Sequence, residues 1–142
     1  MPKSTNYAAL VLGAITVFTA METMAESDYR CTVGRVAMAS TKSATILAWE
    51  EKIHIGKQFT VERQTGLMAG ILKNSFTTKP VVIDVGSKDN SYKVVTTMRL
   101  DEGAGFGSNI YALTINEYAY SSQKPFVFLN NDVVYLGECE HF

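Results

Sequence analysis

The sequence predicts an all-β fold, an antiparallel β-barrel or β-sandwich of about 7–9 short strands. Three observations support this prediction. Short apolar stretches recur along the chain, glycine and asparagine mark hairpin-length turns between them, and hardly any stretch has a helical period. The two cysteines, Cys31 and Cys139, lie near the two ends of the predicted domain, so we expect a disulfide between its N- and C-terminal strands.

The clearest strand, turn, strand pattern lies near the middle of the chain. Phe59, Val61 and Arg63 alternate with polar residues, as expected of a half-buried strand. A three-residue connection ending in Gly66 follows, with glycine where a left-handed backbone is needed. The return arm, residues 67–72, is apolar on both faces. We therefore expect this arm to lie in the interior.

The other predicted strands follow in order: 29–39 with a bulge at Gly34, 81–85, 92–100, 110–115, 126–129 and 133–139, the last two joined at Asn130 and Asn131. The segment 40–52 fits a short helix or an irregular strand, and its Thr45 and Ile46 favour strand. Trp49, the single tryptophan, is expected in the core.

The N-terminus has the parts of a secretory signal peptide. Lys3 precedes an apolar run from Tyr7 to Ala20, and small residues lead to a cleavage site after Ala25, with cleavage after Ala20 as the alternative. The run is short for a membrane span, which needs about 20 residues, so we expect no stable membrane anchor. The predicted organisation is a signal peptide over 1–25 and a single all-β domain over 26–142. The predicted location is the periplasm or the extracellular space.

Charge and cysteine content narrow the function classes. The chain has 13 basic and 14 acidic side chains and a net charge of -1. Nucleic-acid binding leaves a basic patch, so no nucleic-acid partner is expected. In an exported protein an isolated cysteine pair is typical of a structural disulfide. A reactive thiol or a metal ligand is the competing interpretation, but no CxxC motif or Cys/His cluster accompanies the pair, so no metal and no cofactor are expected.

No catalytic motif stands out. His54 and His141 are the only histidines, and we expect both at the surface. The glycine-rich segment 101–108 precedes a strand, whereas a phosphate-binding loop precedes a helix. The carboxylates Asp84, Asp132, Glu138 and Glu140 show no acid–base spacing. The sequence therefore predicts a protein that is not an enzyme.

Three segments carry a resemblance to known proteins: GKQFTVERQTGLMAG, GSKDNSYKVV and KPFVFLNNDVVYLGEC. Through them the chain resembles uncharacterised small exported β-proteins of Gram-negative bacteria. It is also similar, in architecture and in the tyrosine, any residue, cysteine opening at Tyr29–Cys31, to periplasmic lysozyme inhibitors. That second resemblance implies a small disulfide-bonded β-barrel that acts by binding. The loops by which such inhibitors enter a lysozyme cleft are not recognisable in this sequence.

These observations predict a small exported domain that acts by binding, as a protein-interaction or inhibitor-like module of the cell envelope. The partner would be an envelope or secreted protein. The alternative is a carrier of a small apolar ligand in a lipocalin-like barrel. Aromatic side chains are common in both kinds of site, and ordinary core packing explains them equally well. The predicted binding residues are Tyr118, Tyr120, Phe126, Phe128 and Tyr135.

Overall fold

The computed structural model describes residues 27–39, 44–74, 78–105 and 107–142, so the predicted signal peptide lies outside the described residues. Within these ranges the chain forms eight strands, one α-helix and one short 3-10 helix. The elements are β1 (Tyr29–Met38), α1 (Ala44–His54), β2 (Gln58–Val61), β3 (Met68–Gly70), β4 (Val81–Val85), β5 (Tyr92–Met98), the 3-10 helix (Leu100–Glu102), β6 (Asn109–Ile115), β7 (Lys124–Asn130) and β8 (Val133–His141).

The eight strands form one antiparallel sheet in the order β3-β2-β1-β8-β7-β6-β5-β4, curled into a half-barrel. The fold class and the number of strands predicted from the sequence are confirmed. Consecutive strands pair with each other, except β3 and β4, and β1 also pairs with β8 from the other end of the chain. The two edge strands of the sheet are β3 and β4. We call the gap between them the seam.

The predicted disulfide is confirmed. Cys31 of β1 lies directly opposite Cys139 of β8, and the two sulfur atoms are bonded across a sequence separation of 108 residues. The register of this strand pair shifts between Val33 and Arg35, which confirms the bulge predicted at Gly34. Both cysteine side chains are fully buried. The bond therefore crosslinks the first and last strands inside the core.

The core lies on the concave face of the sheet, as the period-two patterns predict. In β5 the side chains of Tyr92, Val94, Thr96 and Met98 are buried, and the residues between them are more exposed. Rings from distant strands meet in the interior. Phe59 packs edge-on against Phe126, with ring centroids 5.2 Å apart. Alternation thus places one continuous apolar cluster inside the curl.

The β2–β3 connection extends across the seam. Gly66 has a positive φ of 75°, which confirms the left-handed conformation predicted there. The connection is longer than the three residues expected, because Val61 is the last paired residue of β2 and Met68 the first of β3. A Cβ atom on Gly66 would lie 2.7 Å from a methyl carbon of Val94 in β5. Only glycine lets the connection approach the opposite side of the half-barrel this closely.

The segment for which strand was favoured is the helix α1, so that preference was wrong. Alanine, leucine, glutamate and lysine over Ala44–His54 favour helix, and they outweigh Thr45 and Ile46. The helix packs Leu47 against the core cluster, and Glu50 accepts a hydrogen bond from the Tyr135 hydroxyl at 2.9 Å. Among the described residues, no helix has both the length and the apolar character needed to cross a membrane.

Two further expectations about the interior were wrong. Trp49 is 57% exposed, because Leu47 and Glu50 take the inner face of α1 and leave Trp49 on the solvent side. In the return arm 67–72, Met68 and Leu72 are buried, but Leu67 is 43% exposed. That arm pairs only three residues with β2 and forms an edge of the sheet, so one of its faces stays open to solvent.

A candidate binding site at one end of the half-barrel

The five predicted binding residues separate into two groups. Phe126, Phe128 and Tyr135 are at most 3% exposed and lie in the core. Tyr118 is 49% exposed, and the Tyr120 side chain projects completely into solvent. The binding role of the set stays a prediction, and only the second group is available for contact with another molecule in this conformation.

The buried group is held by contacts inside the sheet. The ring of Phe128 is stacked with that of Tyr135, and the ring centroids are 6.1 Å apart. The two rings meet because the residues are directly paired between β7 and β8. The hydroxyl of Tyr135 donates to Glu50, whose carboxylate also lies 3.0 Å from Nδ1 of His54. Burial and the Glu50 carboxylate raise the pKa of Tyr135 well above its usual range. The contacts of Tyr135 with Glu50 and His54 anchor α1 to the sheet.

The exposed group lies within the connection between β6 and β7. We call residues 117–123 of this connection the tyrosine loop. The Lys124 ammonium donates to the carbonyl oxygens of Glu117, at 3.0 Å, and Ala119, at 2.6 Å. The amide of Ala119 donates to the carbonyl of Asn116 at 3.0 Å. The amide of Gln123 donates to the Ser121 hydroxyl at 3.1 Å. These bonds hold the backbone that carries both tyrosines in one conformation.

A cluster of buried polar groups lies directly under the tyrosine loop. The carboxylate of Glu117 lies 4.0 Å from the Arg63 guanidinium and 2.9 Å from Nε2 of His141. The side chains of Glu117 and Arg63 are both more than nine-tenths buried. His141, expected at the surface, is one-third exposed, and its Nδ1 lies 3.3 Å from the Ser27 carbonyl oxygen. Both imidazole nitrogens therefore face oxygen acceptors.

Arg63 also closes the seam. Its Nη2 and Nε atoms donate to the carbonyl oxygen of Val85, at 2.8 and 3.2 Å, at the end of edge strand β4. The sequence contained a signal of this arrangement, because the strand period places Arg63 on the same inner face as Phe59 and Val61. A buried guanidinium needs acceptors and a counter-charge. The pattern did not reveal that Glu117 and Val85 supply them.

Two buried phenols complete the cluster. The rings of Tyr29 and Tyr92 lie 5.1 Å apart, and the hydroxyl of Tyr92 donates to the backbone carbonyl of Arg63 at 2.9 Å. Burial, and then the Glu117 carboxylate, raise the pKa of Tyr29 far above its usual range. Burial raises the pKa of Tyr92 to about 12. Both phenols therefore stay neutral at physiological pH, and we call the whole set, Tyr29, Arg63, Tyr92, Glu117 and His141, the polar cluster.

The polar cluster connects strands rather than presenting reactive atoms. Its arginine, carboxylate and imidazole are directed at one another and at backbone carbonyls. Within the described ranges, no group of three or more His, Cys, Asp or Glu side chains is placed to hold a metal ion. The expectation that the protein is not an enzyme stays a prediction.

A depression on the convex face of the sheet adjoins the tyrosine loop, and we call it the outer groove. Its volume is about 560 Å³. It lies over the bulge in β1. There Gly34 of β1 and Gly137 of β8 have no side chains to cover the backbone. Its apolar lining residues are Gly34, Pro125, Leu136 and Gly137, and its polar ones are Thr32, Arg35, Gln123 and Glu138. The groove was not predicted, because it depends on the β1–β8 register.

Comparison of the chain with protein-family models, with curated proteins and with solved structures found no match. The site is therefore interpreted from its own geometry.

Proposed function

We propose that this protein is an exported binding protein that contacts a protein partner through the tyrosine loop. The observation that carries the proposal is Tyr120. Its large ring projects fully into solvent from a backbone fixed by several hydrogen bonds, while most of the other aromatic residues described pack inside the sheet. Tyrosine is enriched among residues that dominate protein interfaces, because its ring offers much contact area and its hydroxyl a hydrogen bond.

The rigidity of the loop supports this use. A side chain that is mobile before binding loses conformational entropy when it is immobilised in a complex. The Lys124 ammonium has already fixed the loop backbone through the carbonyls of Glu117 and Ala119. The backbone part of the ordering cost at this site is therefore incurred during folding. A fixed backbone with two accessible rings is suited to recognition.

The disulfide supports the exported part of the proposal. Disulfides persist in oxidising compartments and are rare in reducing ones. The bond between Cys31 and Cys139 is fully buried, as expected of a structural crosslink. A periplasmic or secreted location and cleavage of a signal peptide over 1–25 belong to the proposal.

The carrier alternative receives less support from the interior. The inward side chains of the sheet form one packed cluster, with Phe59 in contact with Phe126 and Tyr29 with Tyr92 across the curl. The outer groove opens on the convex face of the sheet, away from this cluster. Surface binding is therefore the function that the geometry favours.

The test is affinity capture from an envelope extract with the mature protein and two single variants. Tyr120→Ala should weaken capture of a specific partner by about 30-fold or more, the loss typical of an interface hot spot. Trp49→Ala is the matched control, since it also removes an exposed aromatic ring. Trp49 lies on α1, which follows the C-terminal end of β1, whereas the tyrosine loop lies near the N-terminal end of β1. Equal capture by the parent and by a folded Tyr120→Ala variant would contradict the proposal.

A further inference from the structure

We propose that the partner of the tyrosine loop is a second copy of this chain, whose outer groove receives Tyr120. This inference rests on the proposed function, because it names the partner of the same loop. Two copies would exchange tyrosines across a two-fold axis, each ring entering the groove of the other copy. Self-docking of this kind needs a projecting group and a matching depression on one chain, and the structure has both.

The groove has the dimensions and the lining for an aromatic ring. At about 560 Å³ it lies within the range of ligand-binding clefts, roughly 300–1,000 Å³. The bare backbone of Gly34 and Gly137 and the side chains of Pro125 and Leu136 provide apolar contact. Gln123 and Thr32 offer hydrogen-bonding groups for a phenolic hydroxyl.

The strand packing beneath the groove requires a glycine. A Cβ atom on Gly137 would collide with the carbonyl oxygen of Thr32 in the neighbouring strand, so this position requires glycine. The bulge between Val33 and Arg35 lies at the depression, because Gly34 and Arg35 are among its lining residues. Bulges are frequent next to functional sites, where they change the direction of side chains.

The tyrosine loop borders the groove. Gln123 lines the groove and is only three residues beyond Tyr120. A two-fold axis between them brings each Tyr120 to the groove of the partner copy, which gives an isologous interface with two equivalent contacts. A contact that is not reciprocated in the same interface would instead build a closed ring or an open chain of molecules.

Charge and surface chemistry also permit contact between copies. Arg35 and Glu138 have opposite charges on the groove, so a copy in two-fold orientation can pair them between chains. Beside the groove, four outward-facing side chains form a neutral apolar strip of two cross-strand pairs. They are Val127 with Leu136 and Leu129 with Val134. The net charge of -1 causes little repulsion between copies.

The available area sets the strength of the dimer. Three strands spaced by about 4.8 Å, with their side chains, are roughly 17 Å wide, and the surface from Tyr120 to Leu129 is roughly 30 Å long. Each copy then contributes about 500 Å², or about 1,000 Å² in total, which is near the lower limit for a specific interface. We therefore expect a dimer that dissociates on dilution.

The experiment places a photo-cross-linking residue at the projecting position, Tyr120→p-benzoylphenylalanine. The variant is irradiated as purified mature protein at high and low concentration, and also in the native envelope. We expect a covalent dimer that forms at high concentration. Mass spectrometry should place the cross-link on residues of the outer groove. The same substitution at Trp49, which is also an exposed aromatic residue, should give no dimer.

Two variants check that the groove is the receiving site. Gly34→Leu fills it, and a Cβ atom at Gly34 has no neighbour closer than 3.8 Å, so the fold should tolerate the change. Tyr120→Ala leaves the groove intact and removes the ring. Each should weaken the dimer at least tenfold in sedimentation velocity, with the far-ultraviolet circular dichroism unchanged.

The outcomes distinguish the two proposals. A covalent dimer that is lost in Gly34→Leu supports self-docking. Cross-links from position 120 only to a different protein overturn self-docking and leave the proposed function in place. A parent protein that stays monomeric, with no cross-link to any protein of the native envelope, overturns both.

Discussion

Arg63 and Val85 are joined across the seam, where the guanidinium donates two hydrogen bonds to the last carbonyl of edge strand β4. The same guanidinium faces the buried carboxylate of Glu117. One side chain thus holds together three parts of the half-barrel that are far apart in the sequence. The consequence for stability can be measured.

We predict that Arg63→Met lowers the free energy of unfolding by about 3–5 kcal/mol, because it leaves the Glu117 carboxylate buried with less compensation. Urea denaturation of the two proteins is the measurement. The matched control is Arg30→Met, since Arg30 pairs with Glu140 at 3.6 Å but both side chains are more than 40% exposed. That variant should lose less than about 1 kcal/mol. Equal losses in the two variants would refute the role assigned to Arg63.

A second prediction concerns the disulfide. The double variant Cys31→Ala/Cys139→Ala should be less stable by about 2–5 kcal/mol, because the unfolded chain is no longer constrained by a crosslink between its two ends. Denaturant titration of the oxidised parent and the variant measures this difference. Free-thiol titration of the unfolded, unreduced parent should detect no thiol. A difference below about 1 kcal/mol would contradict a stabilising role.

The third prediction compares two glycines of the outer groove. Gly137→Ala forces a Cβ atom against the Thr32 carbonyl oxygen and the Phe126 ring, so we expect a loss of about 1–3 kcal/mol or more. Gly34→Ala places its Cβ atom in ordinary contact and should change stability by less than about 1 kcal/mol. Thermal unfolding of both variants provides the comparison. Equal stability of the two variants would contradict the close packing described at Gly137.

A fourth prediction concerns alkaline pH. An unfolded tyrosine ionises near pH 10, whereas Tyr92 in the folded protein has a pKa of about 12 and Tyr29 a still higher one. The contribution of Tyr92 to stability is therefore complete below about pH 10 and is lost as pH rises through about 12, and that of Tyr29 is lost only at still higher pH. The unfolding free energy should fall by up to about 1.4 kcal/mol per pH unit for each ring.

Urea denaturation across this pH range tests the prediction. Tyr92→Phe removes one of the buried phenols with a raised pKa, a set that also includes Tyr29 and Tyr135, so its stability should depend less steeply on pH than that of the parent. The slope is the quantity to compare, since the variant also loses the hydrogen bond to the Arg63 carbonyl. An unchanged slope would mean that Tyr92 ionises equally easily in the folded and unfolded states.

Local sequence patterns were sufficient to predict much of the fold. Alternation identified the buried faces of β2 and β5, and Gly66 and Gly34 were placed correctly at a left-handed turn and a bulge. The helix α1 was the main error, because eleven residues with mixed propensities are decided by packing. Leu47 and the Glu50–Tyr135 hydrogen bond supply that packing.

The candidate site was less predictable than the fold. Five aromatic residues near each other in sequence were expected to share a surface, but the strand period directs Phe126 and Phe128 inward. Tyr118 and Tyr120 lie outside the strands, where no period applies. The polar cluster and the outer groove join residues from β1, β5, β7 and β8 or from loops, and their proximity depends on strand register. A local sequence pattern does not determine that register.

The strand order has a consequence for how the chain folds. The β4–β8 segment is a meander in which each strand pairs with its chain neighbour, so its contacts are local and can form early. Pairing of β1 with β8 closes a loop of more than one hundred residues, a slow step in the search for the native state. The two thiols therefore meet only after both ends of the chain have docked. Formation of the disulfide should consequently be a late event in refolding, and the appearance of the oxidised species reports completion of the sheet.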